Sequence, residues 1–252
     1  MLEVTILKTE HAGVEEARKL LPYIQSSDAF GLELEATTKD GAKGFEGSWV
    51  RMLKSDVSRT KFLRRLDSIS NCPIPSFKDY MDKAFGYMFR SRTPLYYAER
   101  WNNEDDASKP IRMRILGLEQ YRLGLEMINH GKEIEGIQKC YDGAKMQIDS
   151  TIERDKNIAE NIITAESSLR ETYPSLRETD PIKLGIQIGR SHQPEKYSKV
   201  PFKIIRLDAV STSKNQIAQI INKLIYDGAS LEELTPLFLE FAKLPQSALF
   251  KV

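Results

Sequence analysis

The chain has 252 residues, 29% charged and 40% hydrophobic, with a formal net charge of +1. That length supports one large domain or two small ones, with a core that needs no disulfide staples. The near-neutral balance argues against nucleic acid as a partner. Cys72 and Cys140 match neither a zinc spacing nor a redox pair. No window approaches the ~18 consecutive apolar residues of a membrane-spanning helix, and no basic leader with an apolar stretch opens the chain. A soluble, cytoplasmic protein that neither enters a membrane nor binds nucleic acid is the expectation.

Residues 3–8 read as a strand, followed by a helix over 13–26. In that helix Val14, Ala17, Leu20, Leu21 and Ile24 share one face, and Pro22 predicts a kink. Residues 29–36 read as the next strand, with Phe30, Leu32 and Leu34 on one face and Glu33 and Glu35 on the other. A strand–helix–strand opening of this kind predicts two parallel strands. Residues 37–47 read as a Gly/Thr/Lys-rich loop. A basic helical pattern follows over 48–70, carrying Arg51, Lys54, Arg59, Lys61, Arg64 and Arg65, and is broken by the prolines of 71–76. A helix over 77–90 precedes a polar connector over 94–110. Residues 111–130 form a long helix interrupted by Gly117 and Gly124, and 132–169 one or two more. Strands at 182–188 and 202–207 and two helices close the chain, at about 213–226, ending at Asp227-Gly228, and at about 231–243, capped by Ser230. Strands at both ends and helices between predict a single α/β domain over 1–252. Its central sheet is mostly parallel or mixed, with flanking helices and a mainly helical insertion at about 48–170.

Four short motifs carry the candidate chemistry. Lys8-Thr9-Glu10-His11 and Gly189-Arg190-Ser191-His192 each put a histidine just beyond a strand, and strand ends in open α/β sheets are where ligands bind. Imidazole is suited both to metal ligation and to proton transfer near neutral pH. Glu33-Leu34-Glu35 places two carboxylates on one face of an otherwise apolar strand, costly if buried without a partner. Glu153-Arg154-Asp155 sits in a helical stretch whose apolar face is marked by Ile152, Ala159 and Ile163. Its charges read either as solvated i,i+4 pairs or, through Arg154, as a group that binds a carboxylate or an oxyanion. No phosphate-binding glycine loop, zinc-protease helix or serine-nucleophile elbow is present.

In this order the four motifs resemble the TraB/TIKI group, within the wider superfamily of ChaN-like proteins and erythromycin esterases. The likeness spans roughly residues 3–207. Lys8 departs from it, standing where the group usually has glycine, and residues 40–145 carry none of its signatures. The resemblance implies a metal-dependent hydrolase that cleaves peptide or ester bonds with activated water. His11, His192 and Glu33 would be ligands of Mn, Co or Zn, and Glu33, Glu153 and Arg154 would act in catalysis. Its alternative is a non-catalytic relative that binds or sequesters a peptide or small ligand, with the Lys8 ammonium replacing the metal's charge. A third reading, independent of the resemblance, docks the basic 51–65 helix on an acidic partner. Exposed apolar residues in the helical middle would leave room for a homodimer.

Overall fold

Aliphatic and β-branched residues dominate the first segment and favour extended backbone. The computed structural model describes residues 1–9, 14–34, 37–54, 75–207 and 216–244. Its elements begin with β1 (Leu2–Thr9), α1 (Val14–Lys19), α2 (Leu21–Ser26), β2 (Ala29–Gly31) and β3 (Thr37–Thr38). They continue with α3 (Lys39–Lys54), α4 (Pro75–Arg90), β4 (Arg100–Trp101), α5 (Glu104–Asn129), α6 (Glu133–Ile163) and α7 (Ala165–Thr172). The last are β5 (Ile182–Gly189), β6 (Phe202–Arg206), α8 (Gln216–Asn222) and α9 (Leu231–Ala242).

The fold is α/β, as the sequence pattern predicts. Four strands form one sheet in the order β2-β5-β1-β6, and every pairing is parallel. The last four residues of β1 are all buried, as strands covered on both faces are. β1 and β2 are parallel but do not touch, because β5 lies between them. One consequence decides where chemistry can sit. The C-terminal ends of all four strands lie along one edge, with Thr9 opposite Gly189 and Lys8 between Ile188 and Arg206.

The chain divides into two compact units. The first comprises residues 1–107 and 155–209, the second 108–154 and 210–252. The first unit holds the sheet and a core built on Ile6, Leu7, Phe30, Trp49, Phe85, Leu184 and Ile186. A buried ion pair crosses it, Arg100 to Glu46 at 2.5 Å. Burial holds the Glu46 carboxyl above its usual range, with Arg100 pulling the other way. The core of the second unit gathers Tyr121, Leu125, Cys140, Leu234 and Phe238. There α9 opens with a capping box between Ser230 and Glu233, as Ser230 predicts. Among the described residues, no helix is long and apolar enough to cross a membrane.

Several sequence expectations shift. The 13–26 helix is two helices that meet at Leu20, because Pro22 belongs to the first turn of α2, where its missing N–H costs nothing. Residues 39–47 are helical despite three glycines. Ala42, Phe45, Trp49 and Met52 recur at helical spacing and are buried, so packing overrides weak local propensity. The connector over 94–110 is not polar throughout: residues 95–101 are buried, and α5 already begins at Glu104. β2 stops at Gly31, short of the predicted 29–36. The stretch 55–74, with most of the basic pattern and Cys72, lies outside the described residues.

Gly117 and Gly124 do not interrupt α5. They are where α6 comes closest, antiparallel to it: Gly117 faces Gly143, and Gly124 faces Gly136. A Cβ on Gly124 would stand 2.6 Å from the Gly136 carbonyl oxygen and from Cys140 Sγ. A backbone carbonyl cannot rotate aside, so Gly124→Ala forces the helices apart. We expect a loss of about 1–3 kcal/mol from overpacking, partly offset by about 1 kcal/mol of helix propensity. Gly44→Ala, in α3 with nothing within 4 Å of its new Cβ, should instead stabilise. Urea midpoints of the two variants moving in opposite directions would bear this out; a stabilised Gly124→Ala would refute it.

Candidate active site at the strand ends

Half of the buried polar side chains among the described residues lie at or beside the C-terminal edge of the sheet. Lys8, Thr9, Glu16, Asp155, Gln187, His192 and Gln193 are all buried there or beside it. Most core positions elsewhere are apolar, and polar groups are buried at a cost unless they are paired.

His192 is the centre of the cluster. β5 ends at Gly189, and the chain turns so that the His192 N–H reaches the Gly189 carbonyl. The ring is then held at both nitrogens. Nδ1 lies 2.6 Å from Asp155 Oδ1, and Nε2 lies 3.1 Å from Glu33 Oε1. The second Asp155 oxygen accepts the Gln193 backbone N–H at 2.7 Å. Glu33 is tied in turn, its Oε2 accepting the Gly189 N–H. A carboxylate can only accept, so each ring nitrogen facing one carries a proton. Burial opposes that charge, but Glu33 and then Asp155 outweigh it and push the His192 pKa up to about 10.

A second line of hydrogen bonds supports Glu33. Its backbone N–H donates to Gln187 Oε1 at 3.3 Å, and Gln187 Nε2 donates to Thr9 Oγ1 at 2.9 Å. Thr9 Oγ1 lies 3.3 Å from the Tyr80 hydroxyl on α4. Burial, helped by the charges of Glu16 and Glu33, raises the Tyr80 pKa and keeps the phenol protonated, although Thr9 pulls the other way. Lys8 is buried, and its ammonium reaches Glu195 Oε1 at 2.6 Å.

The sequence-predicted site is thus assembled in part. Glu33 and His192 meet. Glu153 lies in the second unit, 3.7 Å from Lys109, and Arg154 belongs to that unit as well. His11 and Glu35 lie outside the described residues. Of the Glu153-Arg154-Asp155 motif it is the third residue that reaches His192. Sequence reasoning passed over it, yet a signal was there. Asp155, Ile158, Ala159 and Ile162 fall on one helical face, and all four are buried. Ile163, read as part of the apolar face, is 57% exposed. An acid on an apolar stripe is a residue that must find a partner.

The donors present can be matched to a divalent ion. Two ligands each about 2.0–2.2 Å from one ion, at tetrahedral or octahedral angles, stand roughly 3 Å apart, close to the observed separation of Nε2 and Oε1. A carboxylate on the far ring nitrogen is the usual support of a ligating histidine, and Asp155 occupies that position. Among the described residues, no three His, Cys, Asp or Glu side chains form a complete metal-binding group. A metal centre here would need a further donor, and in the sequence His11 follows the end of β1 by two residues. Comparison with protein-family models, curated proteins and solved structures finds no match to this chain.

Proposed function

We propose that this chain is a metal-dependent hydrolase that activates water at Glu33, His192 and Asp155 to cleave a peptide or ester bond in a peptide or small-molecule substrate. The observation that carries the reading is the His192 ring held between two carboxylates at the C-terminal edge of a parallel sheet. The order of the four motifs is the reason to propose kinship with the TraB/TIKI group, and two cysteines that match neither a zinc spacing nor a redox pair are the reason to propose a reducing cytoplasm.

His192 Nε2, on releasing the proton it shares with Glu33, and Glu33 Oε1 would hold the ion, with His11 completing the set, and imidazole with carboxylate suits Zn, Mn or Co. When bound, a divalent cation lowers the pKa of its water toward neutrality. The chain's own residues do the rest. Asp155 holds Nδ1–H and so directs Nε2 toward Glu33. The Gly189 N–H fixes one oxygen of Glu33 and leaves the other, Oε1, facing the imidazole where the ion would be held. Glu33 is the most open of the three, its side chain 14% exposed against 4% for His192 and 3% for Asp155. The Lys8 ammonium is paired with Glu195, which favours this reading over one in which it replaces a metal's charge. Glu153, turned to Lys109, takes no step in this scheme.

Metal content separates the outcomes. Purified protein should take up about one equivalent of Mn, Co or Zn, and His11→Ala/His192→Ala should lose it under conditions where circular dichroism shows the variant still folded. Wild-type protein that binds none of the three would overturn the metal-dependent reading.

A further inference from the structure

Lys8 and Glu195 form an ion pair that stability alone does not explain. The Lys8 side chain is 2% exposed, and that of Glu195 24%. Burying two charges costs solvation that their attraction repays only when the remaining hydrogen-bonding capacity is also filled. Among the described residues it is not filled. Glu195 Oε2 is buried with no partner, and the Lys8 ammonium, with three donors, has Glu195 as its single partner among the described residues. An apolar pair of similar volume would serve the fold as well or better.

The pair does something an apolar contact could not do as sharply: it fixes a register. Glu195 sits in the short turn Pro194–Lys196, three residues after His192, and Lys8 sits on the central strand next to β5. The segment from Gly189 to Lys196 is therefore pinned twice, by Asp155 on His192 and Gln193 and by Lys8 on Glu195. A directional 2.6 Å contact tolerates little sliding of that turn along the sheet.

We propose that Lys8 and Glu195 are positioning residues for His192: their ion pair holds the turn that aims the imidazole at Glu33. The inference rests on His192 being the working imidazole of the site proposed above, but its test needs neither metal nor substrate. It compares the whole protein, labelled with 15N-histidine, with Lys8→Met/Glu195→Leu. The readout is the His192 Nδ1–H resonance, assigned by its disappearance in His192→Gln.

In wild type that proton, shared with Asp155, should resonate at low field and exchange slowly. In the double variant the melting temperature should stay within a few degrees of wild type or rise, while the low-field signal moves or broadens and its exchange quickens by about ten-fold or more. Lys8→Met alone, which strands Glu195, should melt well below the double variant. Two results would overturn the proposal. One is a double variant that keeps the wild-type resonance and exchange rate. The other is a double variant whose melting temperature collapses, for then the pair holds the fold together rather than the ring in place. A failure of metal uptake in the wild type would sink the hydrolase reading and leave this measurement unchanged.

Discussion

Asp155→Ala should lower the stability of the protein at pH 7 by about 3–5 kcal/mol, the usual cost of removing one member of a buried charged pair. Three losses combine. The His192 Nδ1–H loses its acceptor, the Gln193 N–H loses its acceptor, and a charged ring is left buried with one carboxylate instead of two. A domain's total stability is about 5–15 kcal/mol, so this single change consumes a large part of it. Asp155→Asn keeps the shape and an acceptor oxygen but not the charge, and should cost distinctly less. Urea unfolding of both variants tests the point. A loss under about 1 kcal/mol for Asp155→Ala would mean that the aspartate is not holding the histidine, since that is the size of an ordinary surface pair.

Stability should fall as pH rises from about 6.5 to about 10. His192 has a pKa near 6.5 in the unfolded chain and about 10 in the folded one. The folded state therefore binds the proton more tightly. The benefit is complete below about pH 6.5, where both states are protonated, and disappears as the folded ring loses its proton near pH 10. At 1.36 kcal/mol per pKa unit, the amount at stake is on the order of several kcal/mol. Lysines and tyrosines also titrate in this range, so the comparison is with His192→Gln. The gap in unfolding free energy between wild type and variant should narrow steadily over those pH units. A gap that stays constant, or widens, would show that the two carboxylates do not hold a proton on His192.

Much of the fold was legible because it rests on local patterns. The apolar runs at 3–8, 182–188 and 202–207 are strands within a residue or two, and Ser230 caps the last helix as its side chain allows. Readings that failed did so where a distant surface decided. The glycines of 41–47 look like loop residues, yet Phe45 and Trp49 bind that stretch to the core as a helix. Gly117 and Gly124 look like breaks, and are contacts. At the candidate site, Glu33 and His192 were recognisable as chemistry-bearing residues at strand ends. Asp155 hid within a charged run, because only its burial separates it from Glu153 two residues away.

By itself the sequence determined the α/β class, most element positions and two of the three groups that meet at the site, Glu33 and His192, because periodicity, caps and strand-end residues are local properties of the chain. The tertiary structure decided which strand lies between which. Only with β5 inserted between β1 and β2 do Glu33 and His192 come from adjacent strands. It also decided which acid of the Glu153-Arg154-Asp155 helix faces inward, and that Lys8 spends its charge on Glu195. These depend on the register and facing of segments more than 30 residues apart, down to Asp155 and His192 at a separation of 37. Helical periodicity puts Asp155 on an apolar stripe, but no local pattern says which distant residue it meets, because that is set by how the buried faces pack.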